Sequence, residues 1–257
     1  MRDLVGTNWP IQWALPDRVG ACMTTRFSGH SEGHFAGLNL ADHVGDLSSH
    51  VDKNRAWLAK QLGVTPVFLR QVHGIDCLTV TAITQSGSPA DASTTILAGK
   101  ACTVMVADCL PVLLCDQNGT RVAAAHAGWR GLLAGVLDQT VAEFDTCQSV
   151  MAWLGPCIGP TVFEVGPEVH SAYVSAWGAT AGGEPYFVGL GGGEFLCNLA
   201  ELARLRLGFL GVNSIDGNDG SVGWCTVSNP ERWFSHRREG TPQGGTGRMA
   251  ACIWIKP

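Results

Sequence analysis

Short apolar runs separated by glycine-rich and polar segments make up most of the chain, and they predict buried β-strands. The clearest runs are Val112–Cys115 and Val122–His126, which Asn118-Gly119 joins in a manner typical of a two-residue hairpin. The other predicted strands are Val19–Thr25, Val67–Val72, Cys77–Thr84, Cys102–Ala107, Met151–Leu154 and Ala250–Ile255. The pattern therefore predicts a strand-rich chain.

Helical spacing of apolar residues is confined to a few segments. Ser49–Leu62 begins at a serine that can cap a helix and is followed by Gly63, a residue that often ends one. The other predicted helices are Gly131–Phe144, Pro167–Trp177 and Cys197–Leu210. Because the strands outnumber the helices and do not alternate with them, we expect an α+β fold. Its layered sheets should be largely antiparallel or mixed and flanked by helices, in a single domain over residues 1–257.

Composition and charge narrow the class of protein. The chain is 46% apolar and 15% charged, which favours a sizeable core over disorder. Its net charge of −5 and the lack of a basic run argue against nucleic acid or an anionic membrane as partner. No apolar run approaches the ~20 residues that span a bilayer, and the first residues do not resemble a secretory leader. We therefore expect a cytoplasmic protein, a monomer or weak dimer, whose ten cysteines stay reduced.

Three candidate ligand or catalytic residues stand at the ends of predicted strands, where side chains enter clefts. QVHG contains His73, ADCLPV contains Cys109 after Asp108, and HAGWRG begins with His126. Taken singly, His73 is explained as a turn residue and Cys109 as a core residue. Their long spacings exclude a zinc finger, so a metal centre would have to be assembled from separate strands. Two histidines and one cysteine leave a fourth position open, which is typical of catalytic zinc.

The residues alone leave several chemistries open. Zinc on this trio would lower the pKa of bound water towards ~7 and hold Cys109 as a thiolate. Without a metal, Cys109 would be the nucleophile of a hydrolase or deamidase, with His126 or His73 as its base. A binding module that senses nucleosides or redox state is a third hypothesis. A multicopper oxidase is disfavoured, because the eight histidines of the chain include no H-x-H pair.

Motifs spread over most of the chain match a known family. They are, in order, TTR, LNLADHVGD, QVHG, ADCLPVLLCD, AAHAGWRGLLAGV, GPCIGP, FEVG, FSHRR and GRMA. The chain resembles laccase-domain proteins of the YfiH type over residues 19–255. This family is also named multicopper polyphenol oxidase-like and purine nucleoside phosphorylase. The resemblance implies an α+β fold and one zinc site held by His73, Cys109 and His126, with copper as the alternative metal.

The resemblance also implies an activity on small molecules. That activity is phosphorolysis of adenosine, inosine, guanosine and methylthioadenosine, together with hydrolytic deamination of adenosine. The older oxidase name implies copper and phenolic substrates instead. Phosphorolysis needs a positioned phosphate, for which we expect a clamp of Arg26 and Arg248, and help to the leaving purine, for which Asp108 is a candidate. The remaining predicted substrate contacts are Asn39, Gln71, Arg130 and His236.

Overall fold

The computed structural model describes residues 8–9, 11–240 and 245–257, which form two stacked sheets with helices outside them. Most of the TPQGG segment before GRMA lies outside the described residues. One sheet contains, in spatial order, β1 (Asn8–Trp9), β2 (Val19–Thr24), β14 (Met249–Ile255), β6 (Lys100–Val106) and β3 (Thr65–Phe68). The facing sheet contains β13 (Ser214–Gly217), β9 (Val150–Leu154), β7 (Leu110–Asp116), β8 (Val122–Ala127), β5 (Ala92–Thr95) and β4 (Cys77–Thr79).

A small antiparallel sheet and five helices complete the described fold. The small sheet is β10 (Glu164–Val165), β12 (Glu194–Cys197) and β11 (Phe187–Gly191). The helices are α1 (Ser48–Leu62), α2 (Trp129–Ala134), α3 (Val136–Val141), α4 (Pro167–Trp177) and α5 (Leu199–Phe209). Only β3–β6, β4–β5 and β9–β13 pair in parallel among the described strands. The predicted α+β class with mixed, largely antiparallel sheets is therefore confirmed.

Alternating side chains of the central strands build the layers. Val104 of β6 and Leu113 of β7 point into a shared core between the two sheets. Their neighbours point the other way, Met105 towards α1 and Val112 towards α2–α5. Because each face of such a strand is buried against another layer, both faces carry apolar residues and the strand appears in the sequence as a continuous apolar run. This explains why β7 and β8 give the clearest apolar runs in the sequence.

The connections between the two sheets bring the chain to one edge of the sandwich. The strands β3 and β6 are parallel neighbours, so both strands finish on the same side of the five-stranded sheet, at this edge of the sandwich. Residues 69–76 then lead to β4, and residues 107–109 lead to β7, in the six-stranded sheet. Leu110 at the start of β7 pairs with Ala127 at the end of β8. Two crossovers and one strand end therefore meet at this edge.

The structure corrects some predicted elements. The predicted strand Val67–Val72 is wrong beyond Phe68, since the chain leaves the sheet there as a crossover. The predicted helix Gly131–Phe144 is two helices, which Gly135 separates at a φ of 105°, in a region that favours glycine. The strands β5, β11, β12 and β13 were not predicted.

Two expectations about the whole chain can be set beside the described residues. All ten cysteines are free. No helix in the described part of the chain has both the length and the apolar character required to cross a bilayer.

Candidate active site and metal centre

His73, Cys109 and His126, here called the trio, meet at the edge where the two crossovers and the end of β8 converge. One nitrogen or sulfur ligand atom from each lies within 4.8 Å of the other two. The Cys109 Sγ is 3.9 Å from Nε2 of His73, and the two imidazole rings stand edge to face with centroids 4.8 Å apart. The three predicted ligand residues are therefore neighbours, although they are far apart in the sequence.

Asp91 is the buried anchor of the trio, and the sequence did not single it out. Its Oδ1 accepts a hydrogen bond from Nδ1 of His126 at 2.8 Å and one from the backbone N–H of His73 at 3.0 Å. Its Oδ2 accepts from the backbone N–H groups of Val72 and Gly74. Because an ionised carboxylate only accepts, Nδ1 of His126 carries a proton and Nε2 faces the trio.

The charges of the trio are mutually stabilising in the metal-free protein. Burial alone would raise the pKa of the Cys109 thiol, but the charge of His126 and hydrogen bonds from both histidines lower this pKa to about 6. Burial alone would lower the pKa of His126, but the charge of Cys109 and the bond to Asp91 raise it to about 9. The Asp91 pKa is lowered: its bonds to His126 and Gly74 outweigh burial. Each partner thus favours the charged form of the other, Cys109 as a thiolate and His126 as an imidazolium.

Asp108 lies in the wall of one cavity beside the trio, and its carboxylate organises the loop that follows β13. Its Oδ1 accepts from Thr226 Oγ1 at 2.5 Å, and its Oδ2 accepts from Ser235 Oγ at 3.0 Å and the Arg237 backbone N–H at 2.6 Å. Its φ of 88° is rare for a residue with a side chain. Three donors at the carboxylate favour a positioning role over proton transfer. The loop that carries His236 and Arg237 is the element it positions.

Two cavities adjoin the trio and share His73, Cys109 and His236 in their walls. The first, the Arg248 lobe, has a volume of about 180 Å³ and is otherwise lined mainly by His43, Gln71, Met105 and Arg248. The second, the Trp129 lobe, has a volume of about 290 Å³. Its further walls are Trp129, Arg130, Ile158, Phe163, Leu199 and Arg237. The trio therefore stands between two cavities of mixed polarity, one with Arg248 in its wall and the other with Trp129 and Phe163.

The predicted substrate contacts divide between cavity and framework. Gln71 and Arg248 line the Arg248 lobe, Arg130 lines the Trp129 lobe, and His236 lines both. Gln71 also holds the backbone of Met105 at both its N–H and its carbonyl.

Two of the predicted contacts line neither lobe. Arg26 pairs with Glu239 at 2.8 Å and lies over the Phe234 ring. The fully buried Asn39 accepts from the Arg248 backbone N–H and donates to Asp46. These contacts favour structural roles for Arg26 and Asn39.

Similarity to known proteins shows the family of this chain. A family model described as multi-copper polyphenol oxidoreductase laccase matches residues 20–256. The chain belongs to this family. It is 46% identical over 247 residues to the purine nucleoside phosphorylase YfiH of Escherichia coli K12, covering 95% of this chain and 97% of that protein. It is 44% identical over 245 residues to the purine nucleoside phosphorylase PA4543 of Pseudomonas aeruginosa, covering 95% and 96%.

Solved structures of similar proteins share the fold. The Neisseria meningitidis protein NMB0706 is 42% identical and superposes with a TM-score of 0.89, over 98% of this chain and all of that one (100%). YlmD of Geobacillus stearothermophilus is 29% identical with a TM-score of 0.89, over 100% of this chain and 98% of that one. The predicted resemblance is therefore confirmed.

The trio fits a single ion better than the several copper ions in the family's name. Two imidazole nitrogens and one thiolate are ligands that zinc accepts, and Asp91 supplies the carboxylate that commonly orients a ligand histidine. A Cβ on Gly128 would come within 3.1 Å of both Cys109 Sγ and His73 Cδ2, so the backbone closes tightly over the trio. Within the described residues no second cluster of His, Cys, Asp or Glu of this kind is found.

Proposed function

We propose that this protein is a purine nucleoside phosphorylase that holds zinc on His73, Cys109 and His126. The observation that carries the proposal is the placing of this trio between two cavities, one with Arg248 in its wall and the other with Trp129 and Phe163. A phosphorylase must hold phosphate and the purine base on opposite sides of the sugar carbon C1′. The curated relatives in this family bear the name of that activity.

Phosphate is expected in the Arg248 lobe. The guanidinium of Arg248 donates to the backbone carbonyls of Thr246 and Gly247. No carboxylate among the described residues forms an ion pair with it, although it is partly buried. A buried guanidinium without a carboxylate partner favours binding of an anion such as phosphate. His43 lies in the same cavity and offers a further ring nitrogen.

The reaction exchanges one bond at the sugar. An oxygen of orthophosphate forms a bond to C1′ while the C1′–N9 bond breaks, and the bonding pair leaves with the purine, which gains a proton. The products are the free base and ribose 1-phosphate. His236 stands in the wall shared by both lobes and is exposed, which suits it to hydrogen bond the leaving base. Asp108 keeps that loop in place through Ser235 and Arg237.

Zinc bound by the trio would supply a Lewis acid at the centre of the cleft and a means of activating water. The proposal therefore includes hydrolytic deamination of adenosine as a second activity, and copper as the competing metal. The further substrates expected of a phosphorylase here are inosine, guanosine and methylthioadenosine. A cytoplasmic location, where ten thiols stay reduced, and a monomer or weak dimer complete the proposal.

The decisive experiment is product analysis by chromatography with purified protein of known metal content. Each nucleoside is incubated with and without phosphate, beside Cys109→Ala and the control Cys147→Ala, which changes a cysteine outside both lobes. We expect base and ribose 1-phosphate only when phosphate is present, from wild type and Cys147→Ala but not from Cys109→Ala.

Other results would point to the competing functions. Inosine from adenosine, with no base released from any nucleoside when phosphate is present, would establish deamination alone. Turnover that survives a chelator but stops on thiol alkylation would favour a cysteine hydrolase. Phenol oxidation by copper-loaded protein, without nucleoside turnover, would favour the oxidase. No nucleoside turnover by zinc-loaded protein would refute the proposed function.

A further inference from the structure

A third cavity, here called the Arg55 cavity, adjoins the Arg248 lobe, and its walls include no member of the trio. Its volume is about 130 Å³, smaller than that of either lobe, and it shares His43 with the wall of the Arg248 lobe. Arg55 comes from α1, Arg70 from the crossover after β3, and Asp42 and His43 from the loop before α1. Three separate segments of the chain thus bring two guanidinium groups into the wall of one small cavity.

The guanidinium of Arg55 is fixed by its neighbours, yet part of it has no partner. Its Nε donates to the carbonyl of Leu40 at 2.8 Å, and its central carbon lies 4.3 Å from the centroid of the Phe68 ring. Its Nη1 pairs with Asp42 at 3.1 Å. Its Nη2 is buried and has no hydrogen-bond acceptor among the described residues. Because a buried donor without an acceptor costs free energy, this nitrogen favours an acceptor that is not part of the described chain.

Arg70 brings a second positive charge to the Arg55 cavity. Its backbone N–H donates to the carbonyl of Ser88 at 2.9 Å, and the residue forms an isolated β-bridge with Pro89, so its backbone is fixed. Its exposed side chain forms no hydrogen bond or ion pair within the part of the chain that the structure describes. The donors of this guanidinium are therefore available to a ligand.

The charges around the Arg55 cavity favour an anion. Asp42 is the carboxylate in its wall, and it lies 3.4 Å from Nδ1 of His43 in addition to its pair with Arg55. It balances one of the two guanidinium groups, so one positive charge stays uncompensated even when His43 is neutral. A purely structural ion pair between Asp42 and Arg55 would account for Nη1 of Arg55, but for neither its Nη2 nor Arg70. Guanidinium groups bind oxyanions such as phosphate well, and a cavity of this size suits a small ion better than a nucleoside.

We infer that the Arg55 cavity is a second anion site, separate from the reaction site, that binds orthophosphate through Arg55 and Arg70. The inference rests on these two side chains and does not require any chemistry at the trio. Because His43 belongs to the walls of both cavities, an ion bound here would lie next to the phosphate that is expected in the Arg248 lobe.

The test counts the phosphate ions that the protein binds at equilibrium. Zinc-loaded protein is dialysed against radiolabelled orthophosphate at low ionic strength, where exposed charges are least screened. We expect two ions per chain on wild type, and one each on Arg248→Met and Arg55→Met. Arg70→Met removes an exposed side chain without partners, so the fold should persist while the second site weakens about tenfold or more. The exposed Arg18 lines none of the three cavities, and Arg18→Met is the control that should still bind two ions.

The outcomes separate this inference from the proposed function. A single ion on wild type that Arg248→Met removes and Arg70→Met leaves would overturn the second site, even if phosphorolysis is confirmed. A wild type that binds no phosphate would overturn it as well. A single ion that Arg248→Met retains and Arg70→Met weakens would uphold the Arg55 cavity and count against phosphate in the Arg248 lobe. If Arg55→Met does not fold, Arg70→Met combined with Arg248→Met decides, because unchanged affinity for the remaining ion would refute the site.

Discussion

Asp91 Oδ1 lies 2.8 Å from Nδ1 of His126, and both side chains are almost completely buried. The same carboxylate accepts from the backbone on either side of His73 and from His73 itself. One residue outside the trio therefore orients two of its three members. This arrangement sets the tautomer of one histidine and the turn that presents the other.

Replacement of Asp91 should weaken metal binding more than any other change outside the trio. In Asp91→Asn the amide nitrogen faces donors, so the orientation of His126 and the turn at His73 both lose support. We expect zinc affinity to fall about 10- to 100-fold, measured by competition with a chromogenic chelator. Asp17→Asn, an exposed residue, is the control. Unchanged zinc affinity in a folded Asp91→Asn protein would contradict the anchoring role.

The close approach of Gly128 to the trio predicts a second effect on the metal. In Gly128→Ala the new Cβ would lie 3.1 Å from both Cys109 Sγ and His73 Cδ2, so at least one of these groups must move. We expect reduced zinc content and activity with a folded core, judged by circular dichroism.

The matched control for Gly128→Ala is a glycine with open space around its Cβ position. Gly208→Ala lies within α5, where nothing would lie within 4 Å of the new Cβ. It should leave the metal in place and stabilise the helix by about 0.5–1 kcal/mol. Equal zinc content in the two alanine variants would refute the steric argument.

Substitution of Arg26 and of Arg248, the two arginines that the sequence predicted to bind phosphate, should have different effects. Arg248→Met should raise the KM for phosphate at least about tenfold, because a hydrogen bond to a charged group is worth about 1.5–3 kcal/mol. The KM for the nucleoside should change less. Arg26→Met should instead lower thermal stability, since it removes an ion pair to Glu239 and a stack on Phe234. The reverse pattern, with only Arg26→Met affecting phosphate, would return the clamp to Arg26.

Glu239 should make the stability of the fold depend on pH. Burial would raise its pKa, but hydrogen bonds from Thr246, Arg238 and Arg26 outweigh this and hold the pKa below its usual value. A carboxyl with a lowered folded-state pKa stabilises the protein above its unfolded pKa of 4.5 and loses that contribution as the pH falls through the folded value.

The corresponding measurement is urea unfolding of wild type and Glu239→Gln between pH 7 and pH 3. The variant should be less stable by about 1–3 kcal/mol at pH 7, and the difference should shrink below pH 4.5. Glu32→Gln changes an exposed carboxyl and serves as control. A difference that stays constant down to pH 3 would show that Glu239 does not titrate in this range.

The central strands β6, β7 and β8, which the sequence predicted, are apolar and buried on both faces. The strand β5 was not predicted because its residues Ala92–Thr95 are small and mostly polar, yet all four are buried. Thr94 and Thr95 satisfy their hydroxyls on the backbone carbonyls of Val122 and Val80. Hydrophobic patterning carries no signal for a strand buried in this way, because the two threonine hydroxyls find their partners only in the folded sheet.

The sequence predicted the trio, but it did not predict Asp91, the residue that orients it. His73, Cys109 and His126 each stand at the end of a recognisable apolar run and within a motif of the family. Asp91 closes the loop QSGSPAD, where a single carboxylate is most simply explained as a turn residue. Its role depends on pairing of β5 with β8, which places it beside His126. The two lobes likewise depend on loops that only the assembled layers bring together.

Two members of the trio lie on the crossovers between the sheets, at residues 69–76 and 107–109, and the third belongs to β8 of the six-stranded sheet. An ion held by all three would cross-link layers that are otherwise joined by side-chain packing. A ligand that binds only the folded chain raises its stability by an amount that grows with occupancy. The melting curve of a preparation would then report how much of it carries the ion, before any substrate is added.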